Sequence, residues 1–162
     1  MSGQKQSKGF TIIEVVLVLA IAALIFLMIF VALPALQRNQ ANGARKADVG
    51  VVVSALGTYR TNNSGRLPTT AMQLGTYLDG GLARLDSTPA NVSYAATPSG
   101  SNETVITGTG SSTDIDKLYV RTGAKCTTSS SGVVQPAGAR QAAVLTVVEV
   151  NASALAVVCQ NA

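Results

Sequence analysis

Positions 10–36 are apolar apart from Thr11, Glu14 and Pro34. The run is apolar all round rather than on one face, which suits complete burial in lipid or in a helical bundle. As a helix of about 27 residues it would reach about 40 Å at about 1.5 Å per residue, longer than the hydrocarbon core of a bilayer, which is about 30 Å thick. Pro34 lacks an amide hydrogen and clashes with the carbonyl four residues back, so a kink or local opening is expected over 30–33. The chain turns polar over 37–48, and Val49, Val52, Val53, Leu56 and Tyr59 then recur at helical spacing. One helix is therefore expected to continue to about Arg60 and to lay this second face on a folded head. Arg38, Arg45, Lys46 and Asp48 are left for solvent or for neighbouring molecules. Gly43, Gly50 and Gly57 recur every seven residues, each costing about 1 kcal/mol of helix propensity against Ala; close approach of another backbone would explain them, and so would chance in a Gly-rich chain.

Asn62-Asn63-Ser64-Gly65 ends that helix with turn formers, and Pro68 follows. A short helix over 69–78 is expected to stop at Asp79-Gly80-Gly81. Beyond it the chain is rich in Ser, Thr and Gly, with β-prone runs at 92–96, 104–107 and 118–121. The clearest pair is 142–150 against 154–159, turning at Asn151-Ala152-Ser153. The expectation is an α+β fold in which a small antiparallel sheet packs on the second half of a long helix. Its segments would be a leader over 1–9, the apolar half of the helix over 10–36, the amphipathic half over 37–61 and the head over 62–162.

Length and charge narrow the picture. The 162 residues suit one domain plus a long helix. Of the twelve Lys and Arg residues, Lys5 and Lys8 precede the apolar run; without them ten basic groups would face eight acidic ones. No stretch interleaves basic and aromatic residues, so no nucleic-acid site is evident. The apolar run is too long for an ordinary secretory signal, and no cleavage site follows Leu36. A plain signal anchor tolerates the length but leaves Glu14 unexplained, since an acidic side chain facing lipid is costly and points to function. Basic residues on both sides, Lys5 and Lys8 against Arg38, Arg45 and Lys46, leave orientation undecided. Cys126 and Cys159 form an even pair in the distal half. Behind an export-type N-terminus they read as a disulfide, the alternative being two buried thiols. A bridge would close a loop of about 34 residues, worth about 3 to 4 kcal/mol in the chain-entropy account.

Catalytic chemistry is thinly supplied. The chain has no histidine, no Gly-rich phosphate loop ending in Lys-Ser or Lys-Thr, and no cluster of zinc ligands. The reading is against an enzyme, a cofactor or a metal. Asp114 and Asp116 are too few for a calcium site of six to eight ligands. Asn-x-Ser/Thr triplets begin at Asn62, Asn91, Asn102 and Asn151; each is an acceptor sequence for a glycan, and each arises easily in so Ser/Thr-rich a chain.

The stretch Lys8-Gly9-Phe10-Thr11-Ile12-Ile13-Glu14, followed by the apolar run, resembles the processing site of type IV prepilins. It has the short basic leader, the Gly, the aromatic residue and a Glu five positions after the cut. The likeness extends over about residues 5–60 and beyond that rests on the late cysteine pair and the strand-rich tail. It implies cleavage between Gly9 and Phe10 by a membrane-embedded prepilin peptidase, N-methylation of Phe10, and pairing of Glu14 with a neighbour's new terminus during assembly. It further implies storage as a single-pass protein in the lipid of the cytoplasmic membrane, then polymerisation with other copies into an extracellular pilus. The partners would be an inner-membrane platform protein and a cytoplasmic assembly ATPase, and the roles adhesion, twitching motility or DNA uptake. The same resemblance admits a pseudopilin of a secretion or competence machine, and an anchored adhesin module is the reading from a different class. Relatives often carry a helix-breaking proline a few residues earlier, where this chain has Val31.

Overall fold

The computed structural model describes residues 9–78, 81–82, 85, 92–96 and 101–162. Lys5, Lys8, Asp79, Gly80 and Asn91, all singled out above, lie outside them. The chain divides into two compact units, Met1–Gln37 and Arg38–Ala162, and helix α1 (Ile12–Asn62) runs through both.

In the first unit α1 carries the apolar run. Its large side chains are exposed along the whole length, Phe30 and Val31 each at 77%. Among the described residues, α1 is the one helix long and apolar enough to cross a membrane, and none of its apolar stretch is buried inside the protein. The helix passes through Pro34 without a break, so the local opening expected over 30–33 is not seen. A proline removes one helical hydrogen bond, and the turns on either side hold their own.

In the second unit the fold is α+β. Val49, Val52, Ala55 and Leu56 make the buried stripe of α1. A short helix, α2 (Ala71–Gly75), is capped by Thr70; it is shorter than the expected 69–78. Seven strands follow among the described residues: β1 (Val92–Ala96), β2 (Glu103–Thr104), β3 (Leu118–Thr122), β4 (Ala124–Cys126), β5 (Val133–Pro136), β6 (Ala142–Glu149) and β7 (Leu155–Asn161). They form two sheets, ordered β1-β3-β6-β7 and β2-β5-β4. The β6–β7 hairpin pairs as expected, with Leu145 opposite Cys159 and Glu149 opposite Leu155. Two features depart from the sequence reading. β1 runs parallel to β3, so the larger sheet is mixed; parallel neighbours need a long crossover, and the chain between them goes by way of β2. The run at 104–107 gives only the two-residue β2, because Val105 and Ile106 turn their amides onto the Gly132 carbonyl at 2.8 and 3.1 Å. That approach is so close that a Cβ on Gly132 would stand 2.1 Å from the Ile106 oxygen.

The larger sheet divides the core. Ala142 and Val144 of β6 join Leu118, Val120 and the α1 stripe on one side. Ala143, Leu145 and Val147 point to the other side, onto Ala124, Val134 and Ile106. Residues 142–148 are thus buried on both faces, which explains a strand that reads as a continuous apolar run rather than an alternating one. The two sheets are also bonded covalently, through a disulfide between Cys126 on β4 and Cys159 on β7, 33 residues apart with a Cα–Cα distance of 5.9 Å. Replacing both cysteines by Ser should lower unfolding stability by about 3 to 4 kcal/mol, as measured by urea titration of the full chain in detergent; a loss below about 1 kcal/mol would contradict that.

Two charges expected to face solvent are buried instead. Arg45 on α1 is fully buried. Its Nε meets Asp116 Oδ1 at 2.7 Å and its Nη2 meets Glu149 Oε1 at 3.3 Å. Asn42, one turn earlier, accepts from the Arg45 Nη1 at 3.1 Å and from the Glu149 amide at 3.0 Å, and donates to the Glu149 carbonyl. Asp48 is also buried and accepts from the Leu85 amide at 2.8 Å. Buried charges survive only when paired and hydrogen-bonded, and these arise because α1 crosses polar strand ends as well as the apolar sheet face. Lys46 stays exposed. Tyrosines complete the packing. Burial, then a hydrogen bond to Asp114 at 2.7 Å, pushes the Tyr119 hydroxyl up to about 12; burial also raises Tyr94, whose hydroxyl donates to the Pro68 carbonyl.

Candidate functional site

Gly9 and Phe10 lie exposed and non-helical just ahead of α1, Phe10 at 89%. Nothing stands within 4 Å of where a Cβ on Gly9 would be. Packing among the described residues therefore does not call for a glycine there.

Helix α1 begins with a reciprocal cap. Glu14 Oε2 accepts from the Thr11 amide at 2.9 Å and from its hydroxyl at 2.8 Å, and the Glu14 amide donates to Thr11 Oγ1 at 3.4 Å. This Thr-x-x-Glu box satisfies amides that a helix start leaves without partners and sets a negative charge at the positive end of the helix dipole. The Thr-x-x-Glu spacing is itself a sequence signal for Thr11 as a functional partner of Glu14. Glu14 is the sole ionisable side chain among the described residues up to Leu36. Two shallow apolar grooves of about 370 and 330 Å³ flank it, both lined by Phe10 and Val18. Among the described residues this carboxylate has no cationic partner; its hydrogen bonds go to Thr11.

The family model described as the prokaryotic N-terminal methylation motif matches residues 4–30. The chain carries the N-terminal signature characteristic of type IV prepilins. The motif takes in Gly9, Phe10, Thr11 and Glu14 and reaches into the exposed apolar half of α1, and none of 38–162 belongs to the match. The pilin-like family it marks is structural rather than enzymatic, and an apolar N-terminal helix fits membrane anchoring before assembly. No curated protein and no solved structure matches the chain.

Other singled-out residues lie apart from the motif. Cys126 and Cys159 join sheets in the second unit. Asp114 caps a short 3₁₀ turn at Ser111 and accepts from Tyr119, while Asp116 serves Arg45. Asn62, Asn102 and Asn151 are exposed. Nothing stands within 4 Å of a Cβ at Gly43, Gly50 or Gly57, so no close backbone among the described residues explains them.

Proposed function

We infer that this chain is the structural subunit of a type IV pilus filament. It waits in the cytoplasmic membrane, held by residues 10–36, until prepilin peptidase cuts between Gly9 and Phe10 and Phe10 is N-methylated. A platform protein and an assembly ATPase then draw it into a polymer of its own kind, in which the helix start packs among its neighbours. Glu14 is the residue that tests each incoming copy, by offering a carboxylate to a neighbour's new α-amino group. Pro34, whose missing amide leaves one carbonyl of the helix without its usual donor, marks where α1 would yield if the filament requires it.

The observation that carries this reading is the methylation motif over 4–30 running directly into a fully exposed apolar helix. A glycine at 9 that packing among the described residues does not require supports a constraint imposed by another protein, since a residue without a side chain admits its backbone to a narrow active site.

Intact mass and N-terminal sequencing of protein sheared from the cell surface should give a methylated terminus at Phe10, with both cysteines unreactive until reduced. Full-length chain confined to the membrane fraction would overturn the filament reading and leave an anchored binding module.

A further inference from the structure

Three arginines crowd the turn that follows α1. Arg60, in the last turn of the helix, donates from Nη1 to the Arg140 carbonyl at 2.8 Å. The Arg140 guanidinium lies over Gly65, where a Cβ would come within 3.0 Å of its Cζ and Nε. Gly65 holds φ +82°, so the turn and the room for the guanidinium both depend on the missing side chain. Arg66 follows, and with Arg140 it lines a groove of about 770 Å³ between the turn, the end of β3 at Thr122 and the loop after β5 at Ala137. The walls are fixed by backbone hydrogen bonds: Gly65 to the Arg60 carbonyl at 2.8 Å, Ala137 to Gly123 at 2.7 Å, and Gly123 to Gln141 at 2.8 Å.

Among the described residues none of these three arginines has an ion pair. The described carboxylates are engaged elsewhere: Glu14 with Thr11, Asp48 with the Leu85 amide, Glu103 with Arg121, Asp114 with Tyr119, Asp116 and Glu149 with Arg45. Cationic side chains around one groove, with no counter-charge among the described residues, create a field that favours an anion. Guanidinium forks match a carboxylate in a planar, two-bond geometry. The groove also presents the hydroxyls of Ser64 and Thr122, and no aromatic ring lines it among the described residues, which leaves it without the stacking platform that single-stranded nucleic acid uses.

We propose that this groove binds an acidic saccharide, with a sugar carboxylate on Arg66 and Arg140 and neighbouring sugar hydroxyls on Ser64 and Thr122. The site lies wholly in the second unit and does not depend on the filament reading. The test is a titration of the full chain in neutral detergent with an oligogalacturonate, with its uncharged counterpart and with duplex DNA of equal charge. The oligogalacturonate should bind saturably and at least about tenfold more tightly than the other two. Arg66→Gln with Arg140→Gln, both exposed positions, should weaken it at least about tenfold, whereas Lys46→Gln with Lys125→Gln, equally exposed, should leave it within about twofold. Absence of saturable binding, equal or tighter binding of DNA, or an equal loss in the lysine pair would each overturn the proposal.

Discussion

Arg45→Ala is expected to cost the second unit about 3 to 5 kcal/mol of stability, because it strands partners rather than merely deleting a contact. Asp116 and Glu149 would each keep a charge next to a vacated buried site, and Asn42 would lose one of its donors. Both carboxylates retain partial access to solvent, with side chains 37% and 27% exposed, so some hydration would return and the lower end of the range is the better guide. A second variant separates charge from volume. Arg45→Met combined with Asp116→Asn and Glu149→Gln removes the ions together and should recover to within about 1 kcal/mol of the parent, since a buried ion cluster replaced as a whole is often neutral. Urea unfolding of the full chain in detergent reads both. A loss under about 1 kcal/mol in Arg45→Ala would show that the cluster does not hold the helix to the strand ends.

Glu14→Ala should still insert in the membrane and be cut, yet yield almost no filament. The cap complicates that experiment, since losing Glu14 also removes two hydrogen bonds at the helix start, a change worth about 0.5 to 2 kcal/mol for caps in general. Glu14→Gln resolves it. Glutamine serves as well as glutamate in a capping box but offers no charge to a neighbour's α-amino group, and an unpaired charge in apolar surroundings costs several kcal/mol. Glu14→Gln should therefore fail to assemble as Glu14→Ala does, while Thr11→Ala, which weakens the cap and keeps the carboxylate, should still build filaments. Electron microscopy of sheared material reads all three; normal filament yield from Glu14→Gln would rule out the charge as the assembly determinant.

Much of the fold is legible in the sequence where a single local pattern decides it. The unbroken apolar run and the stripe from Val49 to Leu56 foretell α1 nearly to its last turn, and the β6–β7 hairpin follows from two apolar runs around Asn151-Ala152-Ser153. What escapes is set by distant partners. Arg45 reads as a surface charge because its two carboxylates stand 71 and 104 residues away in the chain. β4 and β5 are short and carry Lys125, Gln135 and Pro136, and the backbone approach at Gly132 that ends β2 is announced by no periodicity. The parallel pairing of β1 is a matter of topology, for which a five-residue strand has no local signal. At the N-terminus the motif residues are plain in the sequence, and so is the Thr-x-x-Glu spacing that signals the cap between Thr11 and Glu14. The crowding of Arg60, Arg66 and Arg140 comes from a loop folded back over a glycine.

The place of β6 in the chain has a consequence for biogenesis. The strand that enters both cores is encoded at 142–149, and both it and its hairpin partner β7 come after the α1 stripe and after Cys126 in the chain. A nascent chain halted before Ala142 would lack the β6 part of the surface that covers the stripe of α1 and would have no Cys159 to pair with Cys126. The two cores of the second unit are therefore completed only once β6 and β7 are both present, and Cys126 stays a thiol until Cys159 reaches it.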